Sequence, residues 1–139
     1  MLDRGGWVVC DRFSDSTRAY QGVLGEVEAP VIEALDRLVV GDTRPDLTVI
    51  LDLPAEVGLA RAALRRRGEG GGAPDRFEGE ALAFHEKLRS AFARIAEDDP
   101  GRCAVVDAHR SQDEVAQAIW DLVSRRLLKG AKGPARRGP

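Results

Sequence analysis

Cysteine is scarce in this chain, with two residues in 139, Cys10 and Cys103. Each falls inside an apolar run, so both are expected to be buried thiols rather than a disulfide, and no disulfide scaffold is available. Histidine is equally scarce. His85 and His109 lie far apart, and no Cys/His/Asp/Glu spacing matches a metal site. His85 reads as a surface or boundary residue of a helix. Aromatics make up 5% of the chain. No apolar run approaches the roughly 20 residues that a membrane-spanning helix requires. The first ten residues hold Asp3, Arg4 and two glycines and do not read as a secretory leader, so a cytoplasmic location is expected. Lysine is scarce too, 3 against 18 arginines, and the net charge of −2 leaves no nucleic-acid footprint over the whole chain. Most of the arginine excess reads as a GC-rich coding bias, which the abundant Ala and Gly support. The placement of particular arginines has to carry any functional argument.

What is present is an alternation of two patterns. Trp7–Asp11, Leu47–Asp52 and Cys103–Asp107 are short runs, apolar at consecutive positions, each ending in Asp. Such runs fit parallel strands covered on both faces. Between them lie helical patterns. Pro30 suits a first turn and is followed by Val31, Ile32, Leu35, Leu38 and Val39 at helical spacing, with Gly41 as the stop. Glu56–Arg67 is rich in Ala, Leu and Arg. Ala81, Phe84, Leu88, Phe92 and Ile95 form one stripe, closed by Pro100-Gly101. Ser111-Gln112-Asp113-Glu114 reads as a capping box before Val115, Ala118, Ile119, Leu122 and Val123. Alternating strands and helices predict an α/β fold with a parallel sheet, whose ligands sit at the carboxyl ends of the strands. Asp11-Arg12 is then expected at such an end. Gly68–Pro74 (GEGGGAP) reads as a mobile loop, and Lys129–Pro139 as a disordered basic tail.

On the residues alone, Asp11-Arg12 reads equally as a surface ion pair of little worth or as a metal-binding acid beside a phosphate-binding fork. The longer string decides between these. Asp11-Arg12-Phe13, Ser16-Thr17 and Ala19-Tyr20-Gln21 closely resemble the signature of thymidylate kinases. The resemblance continues through Gly41–Thr48, Asp52–Leu59, Arg65-Arg66-Arg67 and Asp75-Arg76-Phe77-Glu78, and covers about residues 3 to 127.

The resemblance implies a P-loop nucleotide-kinase-like α/β fold, a parallel sheet with flanking helices, and transfer of the ATP γ-phosphoryl group to dTMP with Mg²⁺, giving dTDP. It implies Arg12 on the acceptor phosphate and Asp11 near the metal. Ser16, Thr17 and Gln21 would line the thymidine pocket, with Tyr20 against the deoxyribose. A lid over about 65–78 would set Arg65 and Arg66 on the ATP side and Arg67 and Arg76 at the transferring group. It also implies a homodimer and no membrane or nucleic-acid partner. For Tyr20 the competing reading is a core aromatic with a satisfied hydroxyl, and for Arg65–Arg67 a solvated helix end.

The phosphate-cradling motif GxxxxGK[ST] does not occur in the 139 residues. In the family it lies upstream of the Asp-Arg strand. The expectation is therefore that residues 1–128 are the C-terminal portion of a thymidylate kinase lacking the N-terminal strands, inactive by itself. The alternative is a non-catalytic remnant that binds a nucleotide or a partner chain. A weaker third reading is another P-loop nucleoside or nucleotide kinase.

Overall fold

A computed structural model describes residues 4–25, 27–68 and 78–128 of the chain. Its elements run in the order α1 (Ser14–Leu24), α2 (Ala29–Val39), a 3₁₀ turn (Gly41–Thr43), β1 (Thr48–Asp52), α3 (Ala55–Gly68), α4 (Glu78–Asp98), β2 (Cys103–Asp107) and α5 (Gln112–Val123). A π-helical turn, Ser124–Leu128, follows α5. The glycine loop and basic tail read from the sequence lie outside the described residues, Gly68 excepted.

Among the described residues the sheet has two strands. β1 and β2 pair in parallel, from Thr48 opposite Cys103 to Asp52 opposite Asp107. Of their apolar runs, TVILD and CAVVD, Ile50, Cys103 and Val106 are buried: in the crossover from β1 to β2, α4 packs against both strands while α3 packs on α4, and α5 packs against β2. The long helix α4 packs on the sheet through Leu88, Ile95 and Ala96, which join Ile50 and Cys103 in the core. Helix α1 lies against α4 and adds Ala19 to the same cluster, with Tyr20 and Val23 at its edge.

The local signals explain most boundaries. Pro30 sits in the first turn of α2, where its missing N–H has no helical partner to lose. At the start of α5 the Glu114 N–H donates to Ser111 Oγ, and the Ser111 N–H donates to Glu114 Oε2, the reciprocal box the sequence predicts. Gly25 ends α1 in the left-handed region (φ 68°) and donates its N–H to Gln21 O.

Three expectations need correction. Trp7–Asp11 is not a strand. It finds no pairing partner among the described residues, and an apolar run without a ladder has no reason to hold a strand. Trp7 and Val8 are each 58% exposed and Val9 is 96% exposed. Cys10 is consequently exposed, whereas Cys103 is buried as expected; both are free. Finally, the strands are not wholly covered on both faces among the described residues: Leu51 and Val105 are 53% and 52% exposed, because the helices contacting the strands, α4 and α5, bury Ile50, Cys103 and Val106 and leave those two uncovered. On α2, a helix as its spacing predicts, Ile32 is buried and Val31, Leu35, Leu38 and Val39 are exposed.

Candidate active site

The polar stretch after Asp11-Arg12 folds as helix α1. Ser14, Asp15, Ser16 and Thr17 are poor interior helix formers but suit a first turn. The chain enters the helix through Arg12, whose backbone lies in the left-handed region (φ 62°), the one non-glycine residue so placed among those described. A side chain with a Cβ adopts this region at a cost, and such residues cluster at functional sites. The Arg12 guanidinium carbon lies 4.7 Å from the centroid of the Tyr20 ring, a cation–π arrangement. Tyr20 in turn meets Phe84 of α4, with ring centroids 6.2 Å apart. Ser16 and Tyr20 are half-buried, one turn apart on α1, and Gln21 follows. The Gln21 side-chain oxygen is buried and has no hydrogen-bond partner among the described residues. A buried acceptor left unpaired is costly and calls for a donor.

The neighbour of this array is a buried ionic cluster. Asp15, on the first turn of α1, is 5% exposed, and Arg102, just before β2, is 8% exposed. Arg102 donates from Nη1 to Asp15 Oδ2 (2.6 Å) and from Nη2 to Asp15 Oδ1 (3.0 Å). Arg102 Nη1 also donates to Thr48 Oγ1 at the start of β1 (2.7 Å), and Thr48 Oγ1 donates to Asp15 Oδ2 (3.0 Å). Arg102 Nε takes Asp99 Oδ2 at 2.8 Å. Burial alone would raise the Asp15 carboxyl, but the bonds and charge of Arg102 outweigh it and hold Asp15 below its ordinary value. The same contacts push Arg102 upward.

At the opposite, carboxyl ends of the strands stand Asp52 and Asp107. Arg89 of α4 forks onto Asp52 with two bonds of 2.7 Å. That fork holds Asp52 below the usual carboxylate range. Asp107 accepts from the His109 N–H and from Arg110, and is lowered for those reasons. Arg61 of α3 donates to the Ala108 carbonyl (3.1 Å), which ties α3 over the end of β2. A largely apolar cleft of about 340 Å³ opens here, rimmed by Asp52, Pro54, His85, Arg89 and Phe92.

Comparison with known proteins bears directly on this arrangement. The thymidylate kinase family model matches residues 1–119. The chain belongs to the thymidylate kinase family. It is 57% identical to a thymidylate kinase of Bradyrhizobium sp., covering 91% of this chain and 55% of that protein. It is 55% identical to a thymidylate kinase of Rhodopseudomonas palustris, covering 97% of this chain and 57% of the relative. The crystal structure of thymidylate kinase from Ehrlichia chaffeensis superposes with a TM-score of 0.62 at 26% identity, over 88% of this chain and 54% of that one. The chain thus spans about half the length of the relatives it matches. The solved relative agrees with the P-loop kinase-type α/β fold expected from the sequence, of which two strands and their flanking helices are described.

The family signature residues are gathered on one segment. Asp11 and Arg12 precede α1, and Ser16, Thr17, Tyr20 and Gln21 lie on it. They do not sit at the carboxyl end of a strand, since Trp7–Asp11 forms none; the first turn of α1 is tied instead to the amino ends of β1 and β2 through Asp15. Arg65 is exposed near the end of α3. Arg66 and Arg67 lie on the same helix, their side chains outside what is described, and Arg76 lies outside the described residues. The sequence reading missed Asp15, Arg102 and the Asp52–Arg89 fork. Asp15 and Arg102 are 87 positions apart, beyond any local spacing rule. The available signal was an arginine directly preceding an apolar strand, in Arg102-Cys103.

Proposed function

We propose that the complete protein phosphorylates dTMP to dTDP at the expense of ATP, and that this chain carries its acceptor side. The observation that carries the reading is the Arg12–Tyr20 pair with the unpaired Gln21 oxygen one residue on. A guanidinium on an aromatic face is a phosphate fork in reserve: a dianionic phosphate offers stronger, charge-assisted bonds than a ring face does. The N3–H of thymine is the kind of donor that the Gln21 oxygen lacks. Tyr20, wedged by Phe84, presents a rigid flank to a sugar.

Phosphoryl transfer asks a protein for positioning and positive charge more than for covalent chemistry. Arg12 binds and orients the acceptor phosphate; Ser16, Thr17 and Gln21 hold the nucleoside. The lid arginines, Arg65, Arg66, Arg67 and Arg76, supply charge at the ATP phosphates, with Arg67 or Arg76 at the transferring group. No three His, Cys, Asp or Glu side chains cluster as a metal site among the described residues. The exposed Asp11 fits Mg²⁺ nonetheless, because Mg²⁺ keeps several waters and takes one or two carboxylates plus substrate phosphates. When bound, Mg²⁺ neutralises charge developing on the phosphates. A homodimer is part of the same reading, supported by the exposed Val31, Leu35, Leu38 and Val39 on α2. So is a cytoplasmic site of action; no helix among the described residues is long and apolar enough to cross a membrane.

The test is a coupled assay with ATP, Mg²⁺ and dTMP. The 139-residue chain alone is expected to give no turnover, since it holds no GxxxxGK[ST] motif. Joined to the unmatched part of the Rhodopseudomonas palustris relative, it is expected to reach the ordinary enzymatic range of about 1–10³ s⁻¹. An inactive, folded hybrid would sink the proposal. It would favour the second reading, a non-catalytic chain that captures a partner strand through the exposed Trp7-Val8-Val9 segment.

A further inference from the structure

Helix α1 has no side-chain cap of its own. Its N-cap is Phe13, which offers no capping oxygen, and within the turn the Ser16 N–H reaches the Phe13 carbonyl (2.9 Å). Asp15 is the residue type best suited to stabilise such a helix start, yet its carboxylate is turned away from the free backbone N–H groups. It is spent on Arg102 and Thr48 instead, in a buried fork that joins α1 to the amino ends of both strands. Three residues earlier the backbone of Arg12 is held in the left-handed region. A strained residue persists when its surroundings over-determine it. The local hydrogen bonding at Arg12 does not: among the described residues its carbonyl receives only a weak donor, the exposed Cys10 thiol, at 3.4 Å.

We propose that the Asp15–Arg102 fork is the positioning device of the Arg12 turn. By pinning the first turn of α1 to the start of both strands, it obliges the chain to enter the helix through a left-handed Arg12, with the guanidinium over Tyr20. Arg102 suits this role because it is itself fixed from three sides. Its backbone carbonyl accepts the Thr48 N–H (3.0 Å), its Nε holds Asp99, and Arg126 clamps the carbonyls of Pro100 and Gly101 in the same turn (3.0 Å each). Arg12 inherits its position from a residue 90 places further along the chain, without contact between them. The functional consequence rests on the reading of Arg12 as the acceptor-phosphate ligand, but the geometric claim does not.

The experiment is NMR of the 139-residue chain. Protons of the Arg12 side chain above the Tyr20 ring resonate upfield through the ring current, and Tyr20→Leu, which removes the ring, sets the zero of the scale. In folded Asp15→Asn the upfield shift is expected to fall below half its wild-type size. Asp52→Asn breaks the other carboxylate–arginine fork of the sheet and is expected to leave the shift unchanged. A folded Asp15→Asn that keeps the full shift overturns the proposal, even with a lowered unfolding midpoint. Equal losses in Asp15→Asn and Asp52→Asn overturn it as well, because any loosening of the sheet would then free Arg12. Should Asp15→Asn not fold, Arg102→Lys carries the same test: it keeps the buried charge and loses the fork, so less than half the shift is expected and a full shift refutes. A failure of the kinase reading would look different: the hybrid enzyme would not turn over dTMP while the Arg12 shift stayed intact.

Discussion

The Arg12 guanidinium and the Tyr20 ring stand 4.7 Å apart, joining the turn that leads into α1 to a residue nearly two turns along it. The exposed Arg12 side chain thus has an aromatic partner. In the hybrid enzyme, Arg12→Ala removes a charge-assisted contact to the acceptor phosphate, worth about 1.5–3 kcal/mol. The kcat/KM for dTMP is expected to fall at least about tenfold. Arg12→Lys is expected to recover little, because a point charge replaces a planar fork. Unchanged steady-state kinetics in Arg12→Ala would reduce the residue to a surface group.

The two carboxylate–arginine forks of the sheet invite a direct comparison. Asp15–Arg102 is buried, with side chains 7% and 9% exposed, whereas Asp52–Arg89 is open, at 33% and 44%. Removing one partner of a buried pair leaves an uncompensated charge and costs about 3–5 kcal/mol. Arg102→Met is therefore expected to lower the unfolding midpoint by about 10 °C or more. Arg89→Met exposes Asp52 to water, which solvates it, and is expected to move the midpoint no more than an ordinary surface change. Thermal denaturation followed by circular dichroism measures both; equal losses would contradict the ranking.

Burial raises the Asp15 carboxyl, and Arg102, Thr48 and Arg18 lower it by more, so its folded value lies below its unfolded one. The stabilisation is therefore fully present above the unfolded value of about 3.9 and is lost as pH falls through the folded value. Urea midpoints measured from pH 6 down to about pH 2.5 are expected to fall most steeply below about pH 4. Asp15→Asn is expected to flatten that fall without abolishing it, since Asp52, Asp99 and Asp107 are lowered too. Parallel curves for the two proteins would show that Asp15 does not titrate with folding.

What the sequence disclosed depended on how local the cause was. The stripe Phe84, Leu88, Phe92 and Ile95, the Ser111 box and the runs ending at Asp52 and Asp107 are fixed by neighbours a few residues away, and each appears where the pattern puts it. Helix α1 was hidden because its first turn is polar and has no apolar period. Trp7–Asp11 has the composition of a strand, but a strand exists through its partner, and composition cannot supply one. The signature itself was legible from Asp11 to Gln21 as a string of residue types. What holds that string in place, Arg102, was not, since its four contacts come from α1, β1 and the α4–β2 turn and share no spacing.

The lid makes the sharpest kinetic prediction. Arg61 is fastened to the Ala108 carbonyl, so its face of α3 lies above the end of β2, and Arg65 follows one turn later on that face. In the sequence Arg65, Arg66, Arg67 and Arg76 flank a glycine-rich segment. If lid charge acts chiefly on the transferring phosphoryl group, it stabilises the transition state and not the bound substrates. Loss of the acting arginine then lowers kcat with little change in KM for ATP or dTMP. Arg67 and Arg76 are nearest the glycines on either side, and one of them is expected to show the effect, on the order of 10³-fold as for other arginine fingers. Arg65→Ala and Arg66→Ala are expected to raise KM for ATP instead. Single alanine substitutions at the four positions of the hybrid enzyme decide the matter. If every variant keeps kcat within about twofold, under 1 kcal/mol of barrier, these arginines are a solvated helix end and its flank, and the catalytic charge must come from elsewhere in the complete protein.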